Sequence, residues 1–197
     1  MKVLPRNFYE RNDVVLIAQE LIGKTLCTLS EEGIFTSGMI TETEAYCGAT
    51  DKACHAYLNK KTKRTQVMFG KGGTAYVYLC YGIHALFNVV TNAEGFADAV
   101  LIRSIQPLEG IEIMKQRRKG AKGYALTTGP GAVSAALGIK TSDYGTDLTL
   151  PKRIWIEDAP NVPLEELIIS PRVGIEYAQE DALLPWRFRL KTPWVSK

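Results

Sequence analysis

Apolar positions along this chain fall mainly into short alternating runs punctuated by glycine and proline, with few stretches at helical spacing. Asn12-Asp13 opens one of those few. V-V-L-I-A-Q-E-L-I follows with a mostly buried face, and Gly23 ends it. Alternation then predicts strands over Lys24–Ser30 and Ile34–Tyr46, joined by a turn at Glu31-Glu32-Gly33 and followed by a polar, basic loop. The run from Thr74 to Thr91, T-A-Y-V-Y-L-C-Y-G-I-H-A-L-F-N-V-V-T, carries no formally charged residue. It falls short of the roughly 20 residues a membrane-spanning helix needs, and Tyr76, Tyr78, Tyr81, His84 and Asn88 interrupt it. Two antiparallel strands joined by a tight turn at Tyr81-Gly82-Ile83-His84 suit it better, with Gly82 supplying the turn. Ala97–Ser104 reads as a further strand, and Leu108 to Arg118 as a helix with Ile111 and Met114 inward. Gly129-Pro130-Gly131 opens a short helix bracketed by Gly138, and Arg153–Glu157 and Trp186–Leu190 read as short strands. The pattern predicts an α+β fold in one domain spanning 1–197. Its sheet is largely antiparallel and curved, with surrounding helices and a protruding β-hairpin.

Composition narrows the class. A chain of 197 residues with 46% hydrophobic content can bury one sizeable core, and no repeat or low-complexity linker divides it. The N-terminal M-K-V-L-P-R-N-F-Y-E lacks the apolar core of a signal peptide, so the expected location is the cytoplasm with its nucleoid, or a nucleus, rather than the exterior. Cys27, Cys47, Cys54 and Cys80 are scattered without a C-x-x-C pair, which fits reduced thiols. Cys47, Cys54 and His55 lack a fourth ligand and paired spacing, so no metal is expected. A net charge of +3 is too mild to prove a nucleic-acid partner. Its distribution says more. Lys60, Lys61, Lys63 and Arg64 form one basic run and Lys115, Arg117, Arg118, Lys119 and Lys122 another, while many acids lie in the last quarter. A single cationic face for phosphates would look like this, and so would ordinary solvated charge runs.

Several polar residues sit where chemistry is conceivable. On I-T-E-T-E-A-Y, period-2 geometry puts Glu42, Glu44 and Tyr46 on one face. Pairing with neighbouring Lys or Arg would account for both glutamates. Tyr46, His55, Tyr76 or Tyr78, and Tyr81 nevertheless offer more amphipathic rings than a core needs, and electron-rich rings beside a carboxylate suit a planar, cationic ligand. His55 serves equally as a satisfied polar residue near the surface. Arg103, on an otherwise apolar strand, is costly to bury unless a carboxylate or ligand meets its guanidinium, and Glu44 is the obvious candidate. Asn88 could read a base edge or merely bond backbone. A turn displaying Tyr81, Ile83 and His84 is suited to wedging between stacked bases, or else packs beneath a neighbouring loop.

Taken in order, E-T-E-A-Y, His55, M-F-G-K-G-G-T-A-Y-V-Y-L-C-Y-G-I-H, Asn88, V-L-I-R-S-I-Q-P-L-E-G, T-G-P-G at Thr128 to Gly131, and the C-terminal P-W-R-F-R-L and P-W-V-S span nearly the whole chain from about Asp13. This combination resembles the alkyladenine (3-methyladenine) DNA glycosylase family. The resemblance implies a monofunctional N-glycosyl hydrolase of base-excision repair. Such an enzyme turns alkylated or deaminated purines of the 3-methyladenine, 7-methylguanine, hypoxanthine and ethenoadenine class out of duplex DNA, hydrolyses the N-glycosidic bond with activated water and leaves an abasic site. By resemblance, Glu44 matches the catalytic acidic residue that activates water and Arg103 the residue that helps hold it. Tyr46, His55 and Tyr78 match the walls that stack the extruded base, and Asn88 the asparagine that crowds the 2-amino group of guanine. Tyr81 matches the residue that fills the gap in the duplex, with Ile83 and His84 beside it as intercalating candidates. The basic runs offer Lys61, Lys63, Arg64, Lys119 and Lys122 for the DNA backbone. The expected partner is damaged double-stranded DNA approached from the minor groove, with no cofactor, no membrane and a monomeric protein. Thr65 and Gln66 stand where some relatives carry Asn and Arg, and Ile83 replaces a frequent Met, departures that bear on DNA affinity and wedge fit. Two other readings stay open: a non-catalytic nucleic-acid-binding module, and a metal-dependent hydrolase recruiting Glu44, His55 and the cysteines. The first has no need of a buried Glu44 with Arg103; the second lacks convincing ligand spacing.

Overall fold

The alternating segments assemble into one antiparallel sheet in the computed structural model, which describes residues 2–191. Its strands are β1 (Thr25–Leu29), β2 (Phe35–Tyr46), β3 (Ala75–Cys80), β4 (His84–Thr91), β5 (Asp98–Glu109), β6 (Ile154–Glu157), β7 (Leu167–Ser170) and β8 (Arg187–Leu190). Four helices accompany them: α1 (Arg6–Tyr9), α2 (Val14–Leu21), α3 (Ile111–Arg117) and α4 (Pro130–Leu137). The strand order is β3-β4-β5-β2-β1-β6, and β8 pairs with both β2 and β7. The α+β class and the hairpin therefore stand as the sequence predicts.

β2 is the spine. β5 runs along one of its edges, while the other edge is shared: β1 pairs with Phe35 to Met39, and β8 with Glu42 to Glu44. Between these two stretches the β2–β5 register slips twice. Ile40 opposes Ile105, Glu42 opposes Ser104 and Thr43 opposes Ile102, so Thr41 and Arg103 stand outside the ladder. Each slip inverts the alternation that follows it, the usual way a bulge re-aims side chains. Ile40 before the slip and Ala45 after it both enter the main core, and the Thr43 hydroxyl donates to the Ala18 carbonyl of α2 at 2.8 Å.

The two faces of the sheet are covered differently. On one, Ala75, Val77, Phe87, Val89, Val100 and Ile102 pack with Ile17 and Leu21 of α2 and Val133, Ala136 and Leu137 of α4. Asp13 caps α2 by accepting the Leu16 N–H at 2.9 Å, and Pro130 opens α4. On the opposite face, Tyr76, Val90 and Ala99 pack with Cys54, Ala56 and Met68 from the irregular segment that links β2 to β3.

Some boundaries differ from the sequence reading. β5 continues past Ser104 to Glu109, and α3 starts at Ile111 rather than Leu108. Pro107 is tolerated because it lies opposite Gly38, beside another register shift, where a missing N–H breaks no regular ladder. β7 and α1 were not foreseen, since L-I-I-S and R-N-F-Y are too short for either period to register. P-W-V-S lies outside the described residues.

Where β2 ends, the chain must pass very close to the start of β5. A Cβ on Gly48 would lie 2.4 Å from the Ala97 carbonyl oxygen, and the Gly48 N–H donates to Asp98 Oδ1 at 3.0 Å. Gly48→Ala is expected to lower the unfolding free energy by about 1–3 kcal/mol through this backbone clash. Urea denaturation checks it, and an unchanged midpoint would mean that Ala97 can retreat without cost.

Candidate active site

A cavity of about 420 Å³ opens on the loop-covered face of the sheet. Asn88 of β4 and Ala99, Leu101 and Arg103 of β5 contribute from the strands, Tyr46, His55, Tyr76 and Tyr78 supply rings, and Tyr177 and Tyr81 also line it. Its size is ordinary for a small-molecule or nucleobase pocket. The structure thus gathers Tyr46, His55, Tyr78, Asn88 and Arg103 around one space.

Glu44 sits immediately behind the wall of this cavity, with no solvent exposure. Its Oε2 accepts from Tyr46 Oη at 2.8 Å and Arg103 Nη1 at 3.2 Å, and its Oε1 accepts the Val173 N–H at 2.9 Å. All three donors belong to residues that line the cavity. Arg103 also donates through Nε to Glu42 Oε1 at 2.9 Å, an oxygen that Arg187 Nε approaches at 2.7 Å. Burial opposes the Arg103 charge, but Glu44 and Glu42 more than offset it, and the guanidinium is held more firmly protonated than in water. Glu42 therefore pairs with two arginines, whereas Glu44 is shared by Arg103, the Tyr46 hydroxyl and the Val173 backbone.

The rings form a connected set. His55 meets Tyr78 edge-on, with centroids 4.7 Å apart, and its Nδ1 lies 2.8 Å from Tyr76 Oη. Arg64 Nη2 lies 2.9 Å from His55 Nε2. The same Nη2 lies 3.1 Å from Nδ1, so one guanidinium donor faces both ring nitrogens, and the neutral ring accepts it through whichever nitrogen carries no proton. Burial, aided by the Arg64 charge, pushes the His55 pKa down to about 4. Burial likewise drives the Tyr76 phenol up to about 12 and the Tyr78 and Tyr46 phenols above their usual range. The cavity wall is consequently aromatic and uncharged near neutral pH, apart from its arginines. Asn88, 4% exposed, donates to the Tyr76 carbonyl at 3.1 Å.

Other predicted residues are placed differently. Tyr81 and Ile83 project from the hairpin, 91% and 72% exposed. Tyr81 (φ 50°) and Gly82 (φ 73°) both occupy the left-handed region, and the Ile83 N–H donates to the Cys80 carbonyl at 3.1 Å, closing a type I′-like turn. His84 begins β4, and its ring is near enough to Gly131 of α4 that a Cβ there would come within 3.0 Å. Arg64 is exposed like the rest of its basic run, but its guanidinium carbon lies 4.7 Å over the Tyr78 ring and the residue lines the cavity. Lys61, Lys63, Lys119 and Lys122 are exposed, while Arg117 and Arg118 are engaged with the Ala136 and Ala125 carbonyls. Among the described residues no three His, Cys, Asp or Glu gather to hold a metal ion, and no helix is long and apolar enough to cross a membrane.

Val173 and Tyr177 escaped the sequence reading. Val173 reaches Glu44 through its backbone across 129 residues, and a backbone N–H leaves no mark on a sequence. Tyr177, an aromatic in an acidic stretch, leaves only a faint signal in the sequence.

The sequence profile of a family described as methylpurine-DNA glycosylase matches residues 7–193. A Chlamydia felis protein is 46% identical over 190 residues, covering 95% of this chain and 96% of its own. A Methanocella arvoryzae protein is 45% identical over 199 residues, covering 100% and 97%, and a Chlorobaculum parvum protein is 44% identical over 197 residues, covering 100% and 91%. All three are provisionally named 3-methyladenine DNA glycosylases.

The neutral His55 has a consequence for stability. Because its folded pKa is about 4 against an ordinary 6.5, the folded state resists protonation. Its contribution is complete above pH 6.5 and is lost as pH falls through about 4. His55→Asn should flatten the pH dependence of the urea midpoint across that window. The chain has two histidines, so NMR can follow the His55 ring directly, and titration near 6.5 would contradict the buried, Arg64-facing environment.

Proposed function

The chain belongs to the methylpurine-DNA glycosylase family, and on that premise we propose that it excises 3-methyladenine, 7-methylguanine, hypoxanthine and ethenoadenine-class purines from duplex DNA by hydrolysis, leaving an abasic site and an uncut strand. The observation that carries this reading is the Glu44 carboxylate, held by Tyr46, Arg103 and Val173 behind an aromatic cavity of nucleobase size.

Cleavage of an N-glycosidic bond passes through an oxocarbenium-like sugar, so a carboxylate at that carbon both stabilises positive charge and aligns water. Glu44 fills that role, and Arg103 fixes the carboxylate and shares the water. The base reaches them by rotating out of the helix, at a cost of a few kcal/mol that is least where damage has already weakened pairing. Tyr46, His55 and Tyr78 then stack on it. N3- and N7-alkylated purines are cationic, and electron-rich ring faces favour them; a neutral His55 adds no opposing charge. Asn88, held against the Tyr76 carbonyl, crowds the space a 2-amino group would need. Tyr81, with Ile83 beside it, enters the vacated space from the minor groove, and a single protein copy suffices.

Glu44→Gln should keep lesion-DNA binding and lower the single-turnover excision rate by about 10²–10⁴-fold. Retained excision would remove Glu44 from the chemistry. Duplexes carrying each of the four lesions, scored for base release and for strand integrity, test the substrate class.

The hairpin yields a separate test. Tyr81 holds a left-handed backbone that asparagine tolerates better, so Tyr81→Asn should stabilise the fold by up to about 1 kcal/mol. The same change removes about 1–3 kcal/mol of stacking, weakening lesion-DNA binding roughly 5- to 150-fold. Unaltered binding would refute the wedge.

A further inference from the structure

A second buried ion pair lies behind the ring wall, outside the cavity. Arg172 and Asp51 have side chains with no solvent exposure. Arg172 Nη1 donates to Asp51 Oδ2 at 2.5 Å and to the Ala45 carbonyl at 2.9 Å; Nη2 donates to Asp51 Oδ1 at 2.9 Å and to the Asp181 carbonyl at 3.0 Å. The guanidinium carbon lies 4.8 Å from the Tyr46 ring centroid and 5.2 Å from that of Trp186. Arg172 does not line the cavity and Tyr46 does, so the guanidinium rests against that ring from outside the cavity. The next residue, Val173, donates its N–H to Glu44. Asp51 in turn accepts the Ala53 N–H at 2.9 Å, ordering the turn that leads to His55.

Stability alone is a poor reason for such a pair. Apolar residues of similar volume commonly serve a core as well or better, because two charges must be stripped of water and Arg172 Nε has no partner even so. What the pair does that apolar residues cannot is hold several groups at fixed distances: the Tyr46 platform, the β2 backbone beside Glu44, and the backbone donor on Glu44 itself. It also carries charge. A lone cation behind Tyr46 would repel a cationic base on the front face, and Asp51 cancels it.

We propose that the Arg172–Asp51 pair is a positioning device for base excision, fixing Tyr46 directly and Glu44 through Val173 while keeping the field behind the platform neutral. This rests on the glycosylase reading above.

The test uses the full-length protein, single-turnover excision from duplexes carrying cationic 7-methylguanine or neutral hypoxanthine, and lesion-DNA Kd. Asp51→Asn leaves the guanidinium charge uncancelled. It should slow both excisions at least tenfold, slow 7-methylguanine release at least a further fivefold, and shift Kd for hypoxanthine DNA by less than about threefold. The double variant Arg172→Met with Asp51→Leu removes both charges. It should fold with a urea midpoint at or above the parent's, excise at least tenfold more slowly, and keep the parent's ratio between the two lesions. A double variant that folds and excises at the parental rate overturns the proposal. So does an Asp51→Asn protein whose two rates fall in equal proportion, or failure of both variants to fold, since each outcome assigns the pair to the fold alone. A parent that releases neither base sinks the glycosylase reading instead, which separates the two failures.

Discussion

A carboxyl group with no access to water must find its hydrogen-bond donors within the protein, and Glu44 finds three. Tyr46 comes from the same strand, Arg103 from the neighbouring one, and Val173 from a segment that folds back much later. Tyr46 shares the face of Glu44 by simple alternation, and Arg103 stands out of the ladder where the β2–β5 register slips. Without the slip, the alternation that buries Ile40 against α2 would send Glu44 toward α2 too, into a layer of Ile17 and Leu21 with nothing to receive it. The double bulge reconciles a helix-packed core with a polar centre on the opposite face.

The two faces divide the work. Aliphatic side chains and helices on one side give the sheet its rigidity. The other side is closed by irregular chain whose conformation is set by specific polar contacts: Asp51 with Arg172, Tyr144 Oη accepting the Val67 N–H, and Thr65 with the Lys60 carbonyl. A cavity walled by such segments can be shaped residue by residue while the sheet beneath it stays fixed.

Much of this was legible in the sequence where a residue was out of place. Arg103 in an apolar strand demanded a carboxylate or a ligand, and Glu44 was the obvious candidate; the uncharged, β-rich run around Gly82 announced a hairpin. Features carried by backbone groups were not legible. Neither the Val173 N–H nor the Ala45 and Asp181 carbonyls distinguish themselves in a one-letter code, so nothing in the sequence marks Arg172. Register slips are also silent, because either phase of I-T-E-T-E-A-Y reads as a plausible strand. Arg64 was grouped with its lysine neighbours by charge, yet its placement is decided by the flat face of Tyr78 and the lone pair of His55.

The location of Arg64 bears on how a flat group would enter the cavity. Its planar cation rests on the face of Tyr78 and bonds His55, so a flat group that stacks on that same face must displace it. The tethered side chain is an internal competitor at high effective concentration, and net affinity is the difference between two similar stacking arrangements. Such a balance leaves little grip on any flat group that stacks on that face no better than a guanidinium.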